Sequence, residues 1–430
     1  MKIFNILFLL ATVALLASSC TKDQCRQEVV YFKYNPIHAT YDAIRADIRS
    51  EAPRDLEKPG KIYFYQDHIF INEYLEGIHI VDNSDPENPT PISFIPILGN
   101  IDMAIKNNQL IVDNYTDLLT LDISNLNQVR LLNRQEDVFV MSSDEVGVIV
   151  SYEAEEVRED VDCDWEGRNG GIFFGGDFFD SNAAFSAETG IPNTSPTGNI
   201  NSGAPSTGSA GSFARFTLYD DYLYIAQNWT IRVFEISDPS APNEDISVSA
   251  GTNSETAYVY KDHLFIGGTT GMNIFDLSDP SSPNFISGYS HMIGCDPVAI
   301  SGDYAYVTIH QDNTCRGDLN QLDVLDISDI FNPILKESFA MENPHGLAAT
   351  PEALYLCEGE FGLKIFDNSD PLEVGEKLLF HYDNFEAYDV IYLPGQEDIL
   401  LLIGEDGFYQ FDVSDPLQPR EISHIPVIKT

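Results

Sequence analysis

The residues with chemistry to offer in this 430-residue chain stand singly, each at the head of an apolar run: Lys61, Asp102, Arg215, Glu255 or Thr256, Asp296, His345 and Asp389. A second set follows the next run in each case: Glu73, Asp113, Asn228, His310, Glu358, Glu405 and Asp406. Carboxylates gathered with two His and one Arg would suit a cationic ligand or a divalent cation such as Ca2+, since hard cations take about six to eight oxygen ligands in flexible sets. An acid pair such as Asp296 with Asp389 would suit general acid/base work on a sugar if the two carboxyls came about 5–10 Å apart. The planar fork of Arg215 would hold a carboxylate or phosphate. The plainer reading is that these groups are solvated or bond one another. No glycine-rich phosphate loop, HExxH, CxxC or GxSxG pattern is present. His310, His345 and His381 are too scattered in sequence to form a recognisable metal motif, so no cofactor and no reaction follow from motifs alone.

What could bring such scattered residues together is a repeat. The stretch GIHIVDNSDPENPTPI (residues 77–92) is rewritten at GMNIFDLSDPSSPNFI and GLKIFDNSDPLEVGEKLL. Its acid and turn recur at Asp82 with Ser84-Asp85-Pro86, Asp122 with Ser124-Asn125-Leu126, Glu235 with Ser237-Asp238-Pro239, and Asp276 with Ser278-Asp279-Pro280. They return at Asp326 with Ser328-Asp329-Ile330, Asp367 with Ser369-Asp370-Pro371, and Asp412 with Ser414-Asp415-Pro416. Before each motif come two β-rich runs joined by a polar turn, and after it one more apolar run. Four short strands per unit of about 40–45 residues, without helical periodicity, predict an all-β propeller of four-stranded blades. Seven motifs predict seven blades, or eight if residues 138–153 form a degenerate one.

Within the motif the fifth position is always apolar (Val81, Leu121, Phe234, Phe275, Leu325, Phe366, Phe411), as blades buried on both faces require. Ser and Asp side chains can accept backbone N–H groups in the turn, and proline fixes φ there. The second proline (Pro89, Pro242, Pro283, Pro333, Pro419) falls at the start of the outermost strand, where a missing donor costs no ladder bond. The runs Ile78-His79-Ile80-Val81-Asp82, Met272-Asn273-Ile274-Phe275-Asp276 and Leu363-Lys364-Ile365-Phe366-Asp367 resemble the LVIVD repeat family of bacterial surface proteins, over about residues 61–430. The resemblance implies a propeller scaffold and leaves the activity open.

In a propeller the loop entering the innermost strand and the loop between the second and third strands open on one face, and the Ser-Asp-Pro turns on the other. Function in repeat folds sits where the repeats differ. The ligand-binding candidates are therefore Asp102, Arg215, Glu255, Asp296, His345 and Asp389. Ring closure is expected from Val29 to Phe32 as an added strand, or from packing between the first and last blades.

The charge balance limits the partners. With 23 Lys and Arg against 68 Asp and Glu, the net charge of −45 repels nucleic-acid phosphates and anionic lipid. Residues 1–20 read as an export signal: Lys2, an apolar run from Ile3 to Leu16, then Ala17-Ser18-Ser19-Cys20. The pattern resembles a bacterial lipoprotein signal in which Cys20 becomes the lipidated N-terminus. An ordinary secretory signal cut near Ser19 would also carry the chain out of the cytoplasm. Residues 21–60 then read as a tether and residues 61–430 as the propeller. Residues 154–212 form an acidic and Gly/Ser-rich insertion, whose aromatic GGIFFGGDFFD patch is expected to need cover, by its own ring or by a partner. The acids from Glu155 to Asp164 lack the spacing of an EF-hand loop. Cys295 and Cys315 flank one blade's variable face and are the best disulfide pair. Cys163 and Cys357 are a second candidate pair, with Cys25 left over.

Together these features predict an outer-membrane lipoprotein, periplasmic or surface-exposed. It would bind protein or glycan at the cell envelope and touch membrane only through its lipid. The alternative is a propeller enzyme, a lyase or hydrolase on carbohydrate, working at the channel mouth.

Overall fold

The structure, a computed structural model, describes residues 26–162, 209–210, 212, 214–290, 297–310, 319–393 and 398–428. It divides into two units. In the smaller, strands Arg26–Ala39 and Val148–Asp162 pair with each other as a two-stranded ribbon. Glu155 ties it internally, accepting from Asn35 at 2.9 Å and facing Lys33 at 3.8 Å. Val29 to Phe32 is thus a ribbon strand and does not close the ring, and the run after Val148 belongs to the ribbon instead of an eighth blade.

The larger unit is a β-propeller of antiparallel sheets. The expected count of seven or eight blades is corrected to six hydrogen-bonded sheets: four of four strands, one of five and one of six. The six-stranded sheet explains the difference. Its strand Tyr222–Glu235 joins the second and third runs of the third repeat, and Asn243–Tyr260 runs without a break from the third repeat into the fourth. Asn228 pairs with Ser254 and joins the third and fourth copies in one ladder. Seven motif copies therefore stand in six sheets.

The motif acts alike in every copy, including the divergent second. All seven strand-ending acids accept the N–H of the serine two residues on, at 2.8–3.1 Å. The next acid or amide, from Asp85 to Asp415, does the same one turn later at 3.0–3.2 Å. The serine is thus a donor to the motif acid more than an acceptor. The residue between acid and serine ties the turn to the hairpin between the first two strands, as in Asn83 N–H to Asp67 O at 2.7 Å and Leu277 N–H to Asp262 O at 2.9 Å. In all seven copies a β-bulge falls just before the fifth position, between Ile80 and Val81 in the first. A bulge bends the strand and increases its twist, as blades stacked around an axis require. Several copies open on glycine because a side chain there meets the outer strand: Gly77, Gly271 and Gly407 have φ of 148°, 138° and 139°, and a Cβ on each would collide with a carbonyl of that strand.

These hydrogen bonds carry a pH signature. Bonds from the Ser N–H and hydroxyl hold Asp82, Asp122, Asp276, Asp367 and Asp412 below the usual carboxylate range, and Asp326 at about 2. A carboxyl whose folded pKa lies below its unfolded value of about 3.9 adds stability above that value and loses it as pH falls through the folded pKa. The acids are near the surface and each contributes little, so the sum is what is read. At constant ionic strength the melting temperature is expected to fall between pH 4 and pH 2, with a shallower slope in Asp326→Asn. An unchanged slope in that variant would reject the assignment.

The ring closes by packing, as one of the two sequence expectations had it. Leu56, Ile62, Ile69 and Val81 from the first repeat side share one buried cluster with Ile391, Leu401, Ile403 and Phe408 from the last. Leu56 bridges Val427, and Asn83 and Gln410 exchange amide hydrogen bonds at 2.9 and 2.7 Å. Residues 40–58 pack on the ring: Leu56 in this cluster, Ile48 against the first two repeats, and Arg45 paired with the buried Asp117 of the second at 3.0 Å. Among the described residues no helix is long and apolar enough to cross a membrane.

Candidate functional site

The two loop sets do share a face. Leu75, between the second and third strands of the first repeat, donates to Asn100 O at 3.1 Å, just ahead of the next innermost strand Met103–Lys106. The candidate residues on that face fall into two groups with opposite electrostatics.

The first three repeats hold an ion network. Lys61 is bonded to Asp102, which also accepts from Arg215 N–H at 2.8 Å and lies 3.5 Å from Arg215 Nε. Arg215 reaches Asp113 at 3.1 Å, and Asp113 takes three further bonds, from Asn100, Ile101 N–H and Asp102 N–H, at 2.7–3.0 Å. Lys61, Asp102 and Asp113 are buried. Burial lowers the Lys61 pKa against the pull of Asp102, and raises that of Asp113 against the pull of Arg215. These charges are occupied with one another, which is the plainer of the two readings and leaves no open carboxylate funnel here.

The later repeats present a neutral wall. Asp389 heads the innermost strand Asp389–Leu393 and is 0% exposed. Its Oδ1 accepts Val390 N–H at 2.8 Å, while Oδ2 has no hydrogen-bond partner among the described residues. Burial pushes this carboxyl well above the carboxylate range, with Lys61 opposing. Glycine at 346 is needed for the approach, since a Cβ there would lie 2.7 Å from Asp389 Oδ1. His345 is fixed by its backbone, donating to Cys357 O at 2.7 Å and accepting Thr308 Oγ1 at 2.8 Å. Its ring packs against His310 at 4.7 Å and Tyr388 at 5.8 Å, and its Nδ1 is buried without a partner. Burial, reinforced by His310, holds the imidazole neutral, well below its ordinary pKa. Tyr388 donates to Glu386 at 2.5 Å, and burial, with Glu405 and Asp406 nearby, raises the Glu386 carboxyl.

Glu255 is half-buried within strand Asn243–Tyr260. Asp296 lies outside the described residues, so its pairing with Asp389 is untried. Glu73 is spent on His79 at 2.9 Å; Glu358 Oε2 accepts from Lys364 at 2.7 Å, while its Oε1 is buried with no hydrogen-bond partner among the described residues. Among the described residues no group of three or more His, Cys, Asp and Glu could hold a metal ion. Cys20, Cys25, Cys163, Cys295 and Cys315 lie outside the described residues. Cys357 is a free, buried thiol whose pKa burial pushes up, and its suggested partner Cys163 lies outside the described residues.

Sequence reasoning missed Tyr388 and Glu386; the pattern Glu-Ala-Tyr-Asp ahead of the last innermost strand was the available signal. It also missed where the insertion ends. Its described tail runs inside the ring: Ser209–Ala210 pairs with Tyr63 and Phe64, Leu347 N–H donates to Ser212 Oγ at 3.5 Å, and Ala257 N–H to Ala214 O at 2.9 Å. The aromatic patch expected to seek cover lies outside the described residues.

Comparison with known proteins agrees with this architecture. Residues 210–250, 253–291 and 295–341 match the LVIVD repeat. No curated protein matches the chain. Among solved structures, a proposed 6-phosphogluconolactonase of Bacteroides fragilis is 10% identical over 88% of this chain and 98% of its own, with a TM-score of 0.51. BamB of Moraxella catarrhalis is 8% identical over 89% and 97%, with a TM-score of 0.46. Hsv2 of Kluyveromyces lactis is 10% identical over 85% and 100%, with a TM-score of 0.47. At 10% identity the first likeness speaks for fold alone, and the other two, with TM-scores below 0.5, carry no argument.

Proposed function

We propose, for a propeller built on LVIVD repeats, that the chain is an extracytoplasmic binding module held at the bacterial outer membrane by a lipidated Cys20. Its ligand, protein or glycan, would be taken on the face opposite the Ser-Asp-Pro turns. One observation carries this reading. The motif residues are spent on the scaffold and the acids of the first repeats on ion pairs, while His345 and Asp389 keep buried, unsatisfied polar atoms where the repeats differ. Unsatisfied buried polar atoms cost free energy and persist where function or a bound molecule compensates. The test is a pulldown from intact envelopes with the purified chain and with His345→Ala. Loss of capture in the variant supports the reading, and equal capture sends the interaction to another surface. Metabolic labelling with palmitate should mark the wild type and not Cys20→Ala; label in both would dismiss the anchor.

A second reading, a lyase or hydrolase on carbohydrate, draws on the same wall. An imidazole whose pKa burial lowers, beside carboxyls whose pKa burial raises, is a pairing suited to general acid/base catalysis. Turnover of an envelope glycan, lost in Asp389→Asn, would favour it.

A further inference from the structure

We infer that the part of the axis walled by His345, Tyr388 and Asp389 recognises an uncharged, hydroxyl-rich ligand, a neutral glycan segment, in place of a cation or an anion. The inference rests on the binding-module reading and narrows its ligand. Three observations carry it. First, the two unsatisfied atoms, His345 Nδ1 and Asp389 Oδ2, are on side chains 4% and 0% exposed, on consecutive innermost strands held together by the close approach of Gly346 to Asp389. Second, the charged groups facing them are already committed. Lys61 belongs to Asp102, and Glu386 takes the Tyr388 hydroxyl, so no free cation stands ready for an anionic ligand among the described residues of this wall. A metal would need more ligands than the wall supplies. Third, a hydroxyl already lies there. Ser212 Oγ, from the chain's own insertion tail, accepts the N–H of Leu347 two residues beyond His345. Tyr388, its ring 5.8 Å from that of His345, supplies an aromatic flank.

A hydroxyl both donates and accepts, which suits a buried imidazole and a buried carboxyl whose pKa burial raises. Neutral imidazole has one donor and one acceptor nitrogen, and a protonated carboxyl donates as well as accepts. Burying charged ligand groups beside them would leave desolvation uncompensated. A neutral hydroxyl meets both without that cost.

The experiment is an array of neutral oligosaccharides probed with the purified full chain, followed by calorimetry on the hits. Polygalacturonate, spermidine and CaCl2 serve as the charged probes. At least one neutral oligosaccharide should bind, with affinity reduced tenfold or more in His345→Ala and in Asp389→Ala. Asp389→Asn keeps size, neutrality and a donor, and should stay within about threefold of wild type. Circular dichroism melting of each variant separates lost binding from lost folding. Binding of a charged probe that Asp389→Asn abolishes, or no neutral binding at all, overturns the inference. If envelope capture then survives in His345→Ala, this wall is not the site. If capture remains sensitive to His345 while no neutral glycan binds, the binding-module reading stands and only the ligand class falls.

Discussion

Asp102→Ala is expected to destabilise the ring by about 3–5 kcal/mol, the range for breaking a buried ion pair from one side. Asp102 is 1% exposed and is the shared partner of Lys61 and Arg215. Without it the Lys61 ammonium stays buried with no counter-charge in contact, and the Arg215 and Met103 N–H groups each lose an acceptor. Restoring balance should recover most of the loss: Lys61→Met with Asp102→Leu removes both charges and fills similar volume, and such exchanges are often neutral or stabilising. Urea unfolding of the two single variants and the double would read the coupling directly. A cost below about 1 kcal/mol for Asp102→Ala would mean that water reaches the network, contrary to its burial. The wall of His345 and Asp389 should keep its ligand affinity in the double variant, because the two groups of polar residues serve different ends.

Phe408→Ala should cost a similar amount, about 3–5 kcal/mol, for a different reason. Phe408 is 1% exposed and fills the cluster shared by the first and last sheets. Many-bladed rings are held by whatever seals their two ends, and among the described residues no strand from the other end of the chain is exchanged into the last sheet. The seal is this cluster, the Leu56 bridge and the Asn83–Gln410 amides. A cavity there weakens the seam as well as the blade. Hydrogen exchange should therefore speed up in both Pro59–Tyr65 and Ile399–Gly404, while Phe275→Ala, in a cluster away from the seam, should loosen its own neighbourhood only. Matching patterns in the two variants would remove the seam from the account.

The scaffold was legible because its cause is local. A strand-ending acid, a serine two residues on and a second acid form hydrogen bonds spanning two residues, so the string of letters already contains both partners. Even the divergent Asn125-Leu126 copy obeys, since an amide oxygen accepts as a carboxylate does. The face assignment followed from strand order alone. The merged sheet did not, because nothing in the stretch 227–256 announces that a turn between repeats will pair Asn228 with Ser254.

The candidate site divides the same way. Residue order along the chain set which side chains reach the axis: Lys61, Asp102, Arg215, His345 and Asp389 all belong to the face on which repeats differ. Whether an aspartate there is a paired charge or a buried carboxyl with its pKa raised was decided by packing. Asp102 meets Lys61 and Arg215, while Asp389 meets a glycine, a backbone N–H and no cation in contact. The letter is the same in both places; desolvation and distance to the nearest charge, which exist only once the ring has closed, give it opposite roles.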